Sequence, residues 1–181
     1  MALIMTTHLQ GRMPSRTHMV YTVAIIGFIF TLHMVLPMYS NSSFLSIFLD
    51  AKSLGYVYMI GSAISILGFL IAPSIIRRVG NYHMALSLVL IQIFLFYGLI
   101  TTTDPIWLSL FFSLQMAAVA LIGLSMDIFL EAYTTNSHVG AVRGLYTATL
   151  NASWVIGPLI GSMLIGAGEF KNTYIAALAM L

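Results

Sequence analysis

Two carboxylates and one imidazole are the residues of this chain that could do chemistry within or beside its long apolar stretches. Asp127 and Glu131 are four residues apart, so on a helix both side chains lie on one face. Such a pair could perform acid–base chemistry or bind Mg²⁺, but it supplies no third ligand. The simpler interpretation is a charge clamp or gate at the cytoplasmic edge of the membrane. Its predicted positive partners are Arg77, Arg78 and Arg143.

The imidazole belongs to His33, two-thirds along the first apolar stretch and far from any charge in the sequence. An ionisable group is costly in hydrocarbon, so it should face protein or a water-filled cavity. It either donates to a backbone carbonyl as a neutral imidazole or lines a path for substrate and protons. Gln115 and Asn151 are weaker candidates for the same path, because either could instead form an interhelical hydrogen bond.

The sequence predicts no metal site and no cofactor. It contains no cysteine, which removes thiolate ligands and cysteine nucleophiles. Its five histidines are too scattered for a pair of ligands on one helix. These histidines are His8, His18, His33, His83 and His138.

Five apolar stretches of about 17–25 residues carry these candidate residues. About 20 residues of helix, at 1.5 Å rise each, cross a hydrocarbon core of roughly 30 Å. A sixth stretch starts at Thr173 but reaches only Leu181, so we expect the chain to be a piece of a longer protein. The predicted spans are 20–39, 54–76, 84–100, 106–130, 145–166 and the incomplete 173–181.

The composition predicts an all-α integral membrane protein with the lipid bilayer as its partner. Hydrophobic residues make up 60% of the chain and charged residues 7%, against about 25% charged in soluble domains. The net charge of +2 and the lack of a basic run exclude nucleic acid as a partner. The first stretch is too long for a cleavable signal peptide, and no small-x-small site follows it.

The basic residues of alternate loops predict the orientation. With a cytoplasmic N-terminus, five basic residues lie inside and two lie outside, as the positive-inside rule requires. We therefore expect a multi-pass protein of the plasma (inner) membrane with its N-terminus in the cytoplasm. The inside residues are Arg12, Arg16, Arg77, Arg78 and Arg143, and the outside residues are Lys52 and Lys171.

Small residues mark one face of the fifth span. Ser153, Gly157 and Gly161 recur every four residues, which would let another helix pack closely. Pro158 removes a backbone donor beside Gly157 and is expected to kink this helix. Gly61 begins a second, weaker stripe in the second span.

A proline and an apolar loop lie near the ends of the first two spans. Pro73 is expected to end or bend the second span just before its loop. The loop 40–53 carries Phe44 and further apolar residues. It either lengthens the first helix past Pro37 or lies on the membrane surface as a short amphipathic helix.

The loop after the second span resembles the motif G-x-x-x-D-R/K-x-G-R/K-R/K of the major facilitator superfamily of transporters. Here the segment reads PSIIRRVGNY, in which Arg78 and Gly80 match the motif. Arg77 stands where the family has an acid. An inverted gate would place the positive charge on Arg77 and the negative charge on Asp127 or Glu131.

The fifth span is similar to a second motif of that family, G-x-x-x-G-P-x-x-G-G, which is common in its proton-driven exporters. Its matching residues are Gly157, Pro158 and Gly161, with Ser153 and Ser162 in place of glycine. Arg143 and Gly144 resemble the basic–glycine pair that precedes this span in the family.

This resemblance implies the N-terminal six-helix half of a secondary transporter, truncated in helix 6, with spans 1–3 and 4–6 as inverted repeats. Such a protein is not an enzyme. It moves a small solute by alternating access, with protons as coupling ions and export as the favoured direction. Spans 1 and 4 would line the path through His33 and Gln115, and the missing C-terminal half would be a partner. A membrane-embedded enzyme and a small channel or scaffold subunit remain as alternatives.

Overall fold

The computed structural model describes residues 16–134, 139–166 and 169–181, and all regular elements in those ranges are α-helices. The helices are α1 (Arg16–Met38), α2 (Asn41–Leu45), α3 (Ala51–Val79), α4 (Asn81–Thr101), α5 (Pro105–Tyr133), α6 (Val139–Ile165) and α7 (Lys171–Leu178). Parts of the two predicted loops 131–144 and 167–172 lie outside the described residues, as do His8, Arg12 and His138.

Five helices, α1, α3, α4, α5 and α6, are long and apolar enough to cross a membrane. They match the predicted spans to within a few residues, apart from α6, which begins earlier, at Val139. The prediction of an all-α protein with several helices long and apolar enough to span a membrane is therefore confirmed for the described residues. Helix α3 continues through Pro73 to Val79, so Pro73 does not end the second span.

Two aspartates fix the starts of α3 and α5. The Asp50 carboxylate accepts a hydrogen bond of 3.1 Å from the backbone N–H of Ser53. The Asp104 carboxylate accepts from the backbone N–H groups of Ile106 and Trp107, at 2.8 and 3.2 Å. Both satisfy N–H groups that the first turn of a helix leaves without partners. Hydrogen bonds from Ser53 hold the pKa of the Asp50 carboxyl below its ordinary value.

A single residue, Gly80, joins α3 to α4. Its φ of 82° and ψ of 155° lie in a region that residues with a Cβ rarely adopt. Just after this turn, the Asn81 side-chain amide donates a 3.0 Å hydrogen bond to the Ser125 carbonyl of α5. The glycine shared with the transporter loop motif is therefore required here by the backbone of the turn.

We expect Gly80→Ala to lower the free energy of unfolding by about 1–3 kcal/mol, because a side chain is strained at this backbone conformation. The control is Gly144→Ala, at an exposed helical position where a Cβ meets nothing within 4 Å. That change should be neutral or slightly stabilising, since alanine is the better helix former. Thermal unfolding in detergent measures both, and equal midpoints for the two variants would contradict the expectation.

The long helices pack as parallel and antiparallel pairs. Helices α1 and α6 run in the same direction, as do α3 and α5, whereas α4 and α5 run in opposite directions. These directions are the ones expected if the five helices cross a membrane alternately. The neighbouring residues that establish them are Gly27–Tyr146 and Val35–Gly157, Gly61–Ser113 and Gly68–Leu121, and Gly98–Phe111 and Asn81–Ser125.

The short helix α2 belongs to the protein core. Phe44 and Leu45 are buried, and the Phe44 ring centroid lies 4.8 Å from that of Tyr174 on α7. The Tyr174 hydroxyl donates a 2.6 Å hydrogen bond to the Asn41 side-chain oxygen. A short helix thus forms in the loop 40–53, with Phe44 packed against α7 and Ile47 of the same loop exposed. Whether this segment lies at the membrane surface stays a prediction.

Candidate functional site

Small residues bring α6 against α1. The Ser153 hydroxyl donates a 3.0 Å hydrogen bond to the Phe28 carbonyl of α1. A Cβ on Gly157 would lie 2.5 Å from Val35 Cγ1, so only glycine fits at this approach. Gly161, one turn further, is also buried. The stripe of small residues on α6 is therefore its contact surface with α1.

A second close approach joins α3 to α5. A Cβ on Gly61 would lie 2.7 Å from Met116 Sδ and 3.3 Å from Ser113 Cα. The Ser113 hydroxyl donates a 3.2 Å hydrogen bond to the Val57 carbonyl. These two approaches hold α6 and α3 on either side of α1 and α5.

Helices α1 and α5 line two adjoining clefts between those flanking helices. The cleft on the α6 side has a volume of about 290 Å³, and the cleft on the α3 side about 260 Å³. Met34 and Val119 line both, so the two clefts meet there. We call the two clefts together the α1–α5 groove. Its lining includes Phe30, Thr31, Met34, Met126, Asp127, Tyr146 and Trp154 on the α6 side, and Asn41, Tyr58, Phe112, Gln115 and Met116 on the α3 side.

Gln115, like Thr31, is a buried polar residue in the wall of this groove. It is 6% exposed and makes no side-chain hydrogen bond to any residue that the structure describes. Leaving a buried amide without a partner costs free energy. The cleft beside Gln115 gives a ligand or water access to that amide, which makes it a candidate binding group.

The structure places His33 outside the groove. Its side chain is fully buried, and its ring centroid lies 5.1 and 5.0 Å from those of Phe30 and Phe96. Neither ring nitrogen has a hydrogen-bond partner among the described residues, so the expected bond to a backbone carbonyl is not made there. Phe30 lines the groove and contacts the imidazole. A role for His33 in the path stays a prediction.

Gln92 is a buried polar residue whose importance the sequence did not indicate. It is fully buried on α4, one turn before Phe96, and neither its side-chain oxygen nor its nitrogen has a hydrogen-bond partner in the described part of the chain. The core around Phe96 thus borders two unpaired polar side chains, Gln92 and His33. Asn151, by contrast, is exposed on α6 and lines none of the clefts described here.

The predicted charge clamp is not formed as an ion pair. Arg77, Arg78, Asp127, Glu131 and Arg143 are all exposed. Within the described ranges, no arginine nitrogen lies within 4.0 Å of a carboxylate oxygen of Asp127 or Glu131. Asp127 and Arg143 do line one further cleft, of about 260 Å³, without Arg77 or Arg78. The clamp stays a prediction, with Asp127 and Arg143 the members that share a cleft.

Cysteine substitution should distinguish the two polar candidates, because the chain has no cysteine of its own. We expect Gln115→Cys to react with a small water-soluble thiol reagent, since this position borders an open cleft. His33→Cys should react more slowly by a factor of about ten or more, because the reactivity of a thiol depends on its access to the reagent. Leu36→Cys, at a position 1% exposed, sets the rate of a buried thiol. Equal rates at 115 and 33 would contradict the placement of His33.

No family model, curated protein or solved structure matches this chain. Among the residues described, no group of three His, Asp or Glu side chains is arranged to hold a metal ion. What the site does must therefore be inferred from the shape, lining and charge of the groove.

Proposed function

We propose that this chain is the N-terminal half of a secondary transporter of the major facilitator type, which moves a small solute across the membrane by alternating access. The observation that carries the proposal is the α1–α5 groove, with Gln115 buried and unpartnered in its wall. Helices α1 and α5 are predicted spans 1 and 4, the spans that line the path in that family.

The helix pairing supports a two-fold relation between spans 1–3 and 4–6. Such a relation exchanges span 1 with 4, 2 with 5, and 3 with 6. If α1 packs beside α6, this relation requires that α5 pack beside α3. Both pairs are in contact, and the helices of each pair run parallel. It also requires that α1 beside α7 be matched by α5 beside α4, and both of these pairs are in contact.

The glycines at the close approaches support the same relation. Gly157 on span 5 packs against span 1, and Gly61 on span 2 packs against span 4. Under the exchange, span 5 corresponds to span 2, so the two glycines lie on corresponding helices. Inverted repeats of this kind place a substrate site near the membrane midplane, between the repeats.

The distribution of charge supports a cytoplasmic N-terminus, and the proposal places the protein in the plasma (inner) membrane. Arg77 and Arg78 end α3, and Arg143 lies near the start of α6, so the three share one side of the bundle. Lys52 starts α3 and Lys171 starts α7, on the other side. The positive-inside rule then puts the arginines in the cytoplasm. Asp127 then lies at the cytoplasmic end of the groove. An ion pair between Asp127 and Arg143 would help to close that end.

Proton coupling and export complete the proposal. His33 is a buried histidine in a membrane-crossing helix, and protonation would favour a conformation that gives it water or a counter-charge. We favour export over import because α6 resembles a motif that is common in the proton-driven exporters of this family.

The test measures solute movement into proteoliposomes that contain the complete protein. The coding sequence after codon 181 defines that complete protein. We expect one solute of a chemically diverse panel to move only under an imposed proton gradient. Gln115→Leu should slow that movement about tenfold or more, because a buried polar contact to the solute is lost. Gln92→Leu, the same substitution at a buried position that lines neither cleft of the groove, is the matched control and should leave the rate within about twofold.

Two results would contradict the proposal. One is a stop codon directly after Leu181 together with no movement above leak under any gradient. The other is a metal-dependent turnover that needs no gradient and is lost in Asp127→Asn, which would favour a membrane enzyme.

A further inference from the structure

The walls of the α1–α5 groove are made of thioether and aromatic side chains. Met34, Met116 and Met126 line it, together with the rings of Phe30 and Trp154. Methionine is flexible and polarizable, so it adapts to ligands of different shape. Aromatic faces attract cations through the ring quadrupole. These walls suit an apolar, polarizable ligand that carries a delocalised positive charge.

The charge in the lining of the groove is negative. Of the described residues that line its two clefts, Asp127 carries the only formal charge. Arg143 shares the neighbouring cleft with Asp127 but lines neither cleft of the groove. It makes no ion pair with Asp127 within 4.0 Å. A cation in the groove therefore meets an unpaired carboxylate, whereas an anion would be repelled.

Gln115 supplies a second, independent indication of a ligand. The residue is 6% exposed, its amide has no hydrogen-bond partner among the described residues, and it lines the α3-side cleft. The two clefts measure about 290 and 260 Å³, and together they reach the range of about 300–1,000 Å³ typical of small-molecule sites.

From these three observations we infer that the α1–α5 groove binds lipophilic organic cations, with the apolar body against the methionines and rings and the positive charge towards Asp127. The inference rests on the proposed function and names the class of its substrate.

The experiment compares ions of one shape and opposite charge on the 181-residue chain. The probes are tetraphenylphosphonium and tetraphenylborate, with neutral tetraphenylsilane as the uncharged reference. Binding is measured by equilibrium dialysis against chain in zwitterionic nanodiscs, and empty nanodiscs give the lipid background. We expect the phosphonium to bind about tenfold more tightly than the borate, because only the phosphonium is attracted by Asp127.

Variants then locate the charge that discriminates. Asp127→Asn should weaken phosphonium binding about tenfold and leave tetraphenylsilane binding unchanged. Asp127→Glu keeps the charge and should retain most of the affinity. Glu169→Gln removes an equal charge between α6 and α7, away from the groove, and should bind as the parent does. Thermal unfolding of each variant confirms that it is folded.

The inference is overturned if the two ions bind equally, if neither binds above background, or if Asp127→Asn binds the phosphonium as tightly as the parent chain. Its failure is separable from that of the proposed function. Charge-selective binding without gradient-driven movement by the complete protein would remove the transporter and keep the cation site. Gradient-driven movement of another solute without phosphonium binding would remove the cation site and keep the transporter.

Discussion

Replacing Gly157 with alanine will weaken the packing of α1 against α6 and lower the free energy of unfolding by about 1–3 kcal/mol. The new Cβ would lie 2.5 Å from Val35 Cγ1 and 3.0 Å from Val35 Cβ. A β-branched side chain in a helix has one strongly preferred rotamer, so Val35 cannot rotate out of the way. The two helices must separate instead. Unfolding of the purified chain in mixed micelles measures the loss.

Trimming the opposing side chain should restore the packing. In Gly157→Ala with Val35→Ala, the added methyl group occupies space that the valine methyl groups leave, so the double variant should be more stable than Gly157→Ala alone. The control is Gly55→Ala, because a Cβ there meets nothing within 4 Å. Gly55→Ala should match or exceed the parent by up to about 1 kcal/mol. A double variant no more stable than Gly157→Ala would show that these residues do not oppose each other.

Replacing His33 with leucine will raise the free energy of unfolding by about 1–3 kcal/mol, since an unpartnered buried polar group costs about that much. The imidazole packs against the rings of Phe30 and Phe96, and both of its nitrogens are buried without a hydrogen-bond partner in the described ranges. Leucine removes the polar atoms and fills most of the volume. Denaturation midpoints of the two chains give the difference. A less stable variant would mean that the imidazole finds a partner in the folded protein.

The same substitution separates a structural role of His33 from a functional one. If His33 carries protons, proton-driven transport by the complete protein will be lost in His33→Leu although stability rises. Gln92→Leu is the matched control, because Gln92 is equally buried and lacks partners on both polar atoms. It should also gain stability, and it should still transport. Loss of transport in both variants would point to packing of this core instead of proton transfer.

The spans could be predicted because the hydrocarbon core fixes the length of any helix that crosses it. The residue at which each helix ends, and the packing of the loops between helices, could not be predicted. Pro73 lacks one backbone donor, yet α3 continues through it for six more residues, to Val79. Phe44 is buried because α7 covers it, a contact between residues more than 100 positions apart that no local pattern reveals.

The site was harder to predict than the spans. The spacing of Ser153 and Gly157 indicated a close helix contact, but it did not identify α1 as the neighbour. Which residues of α1 face the groove depends on the rotation of that helix, and a helix that is apolar on every side marks no face. The sequence therefore drew attention to His33 and not to Met34, which lies where the two clefts meet.

Helices α3 and α5 are longer than a bilayer core is thick. Each has 29 residues, about 43 Å of helix against roughly 30 Å of hydrocarbon. Because they pack side by side in the same direction, they must tilt together or carry their ends into the headgroup layers. A thinner bilayer would incline the pair further, and the wall of the groove that α5 provides would lean with it. If the pair tilts, the shape of the groove depends on the acyl-chain length of the host lipids.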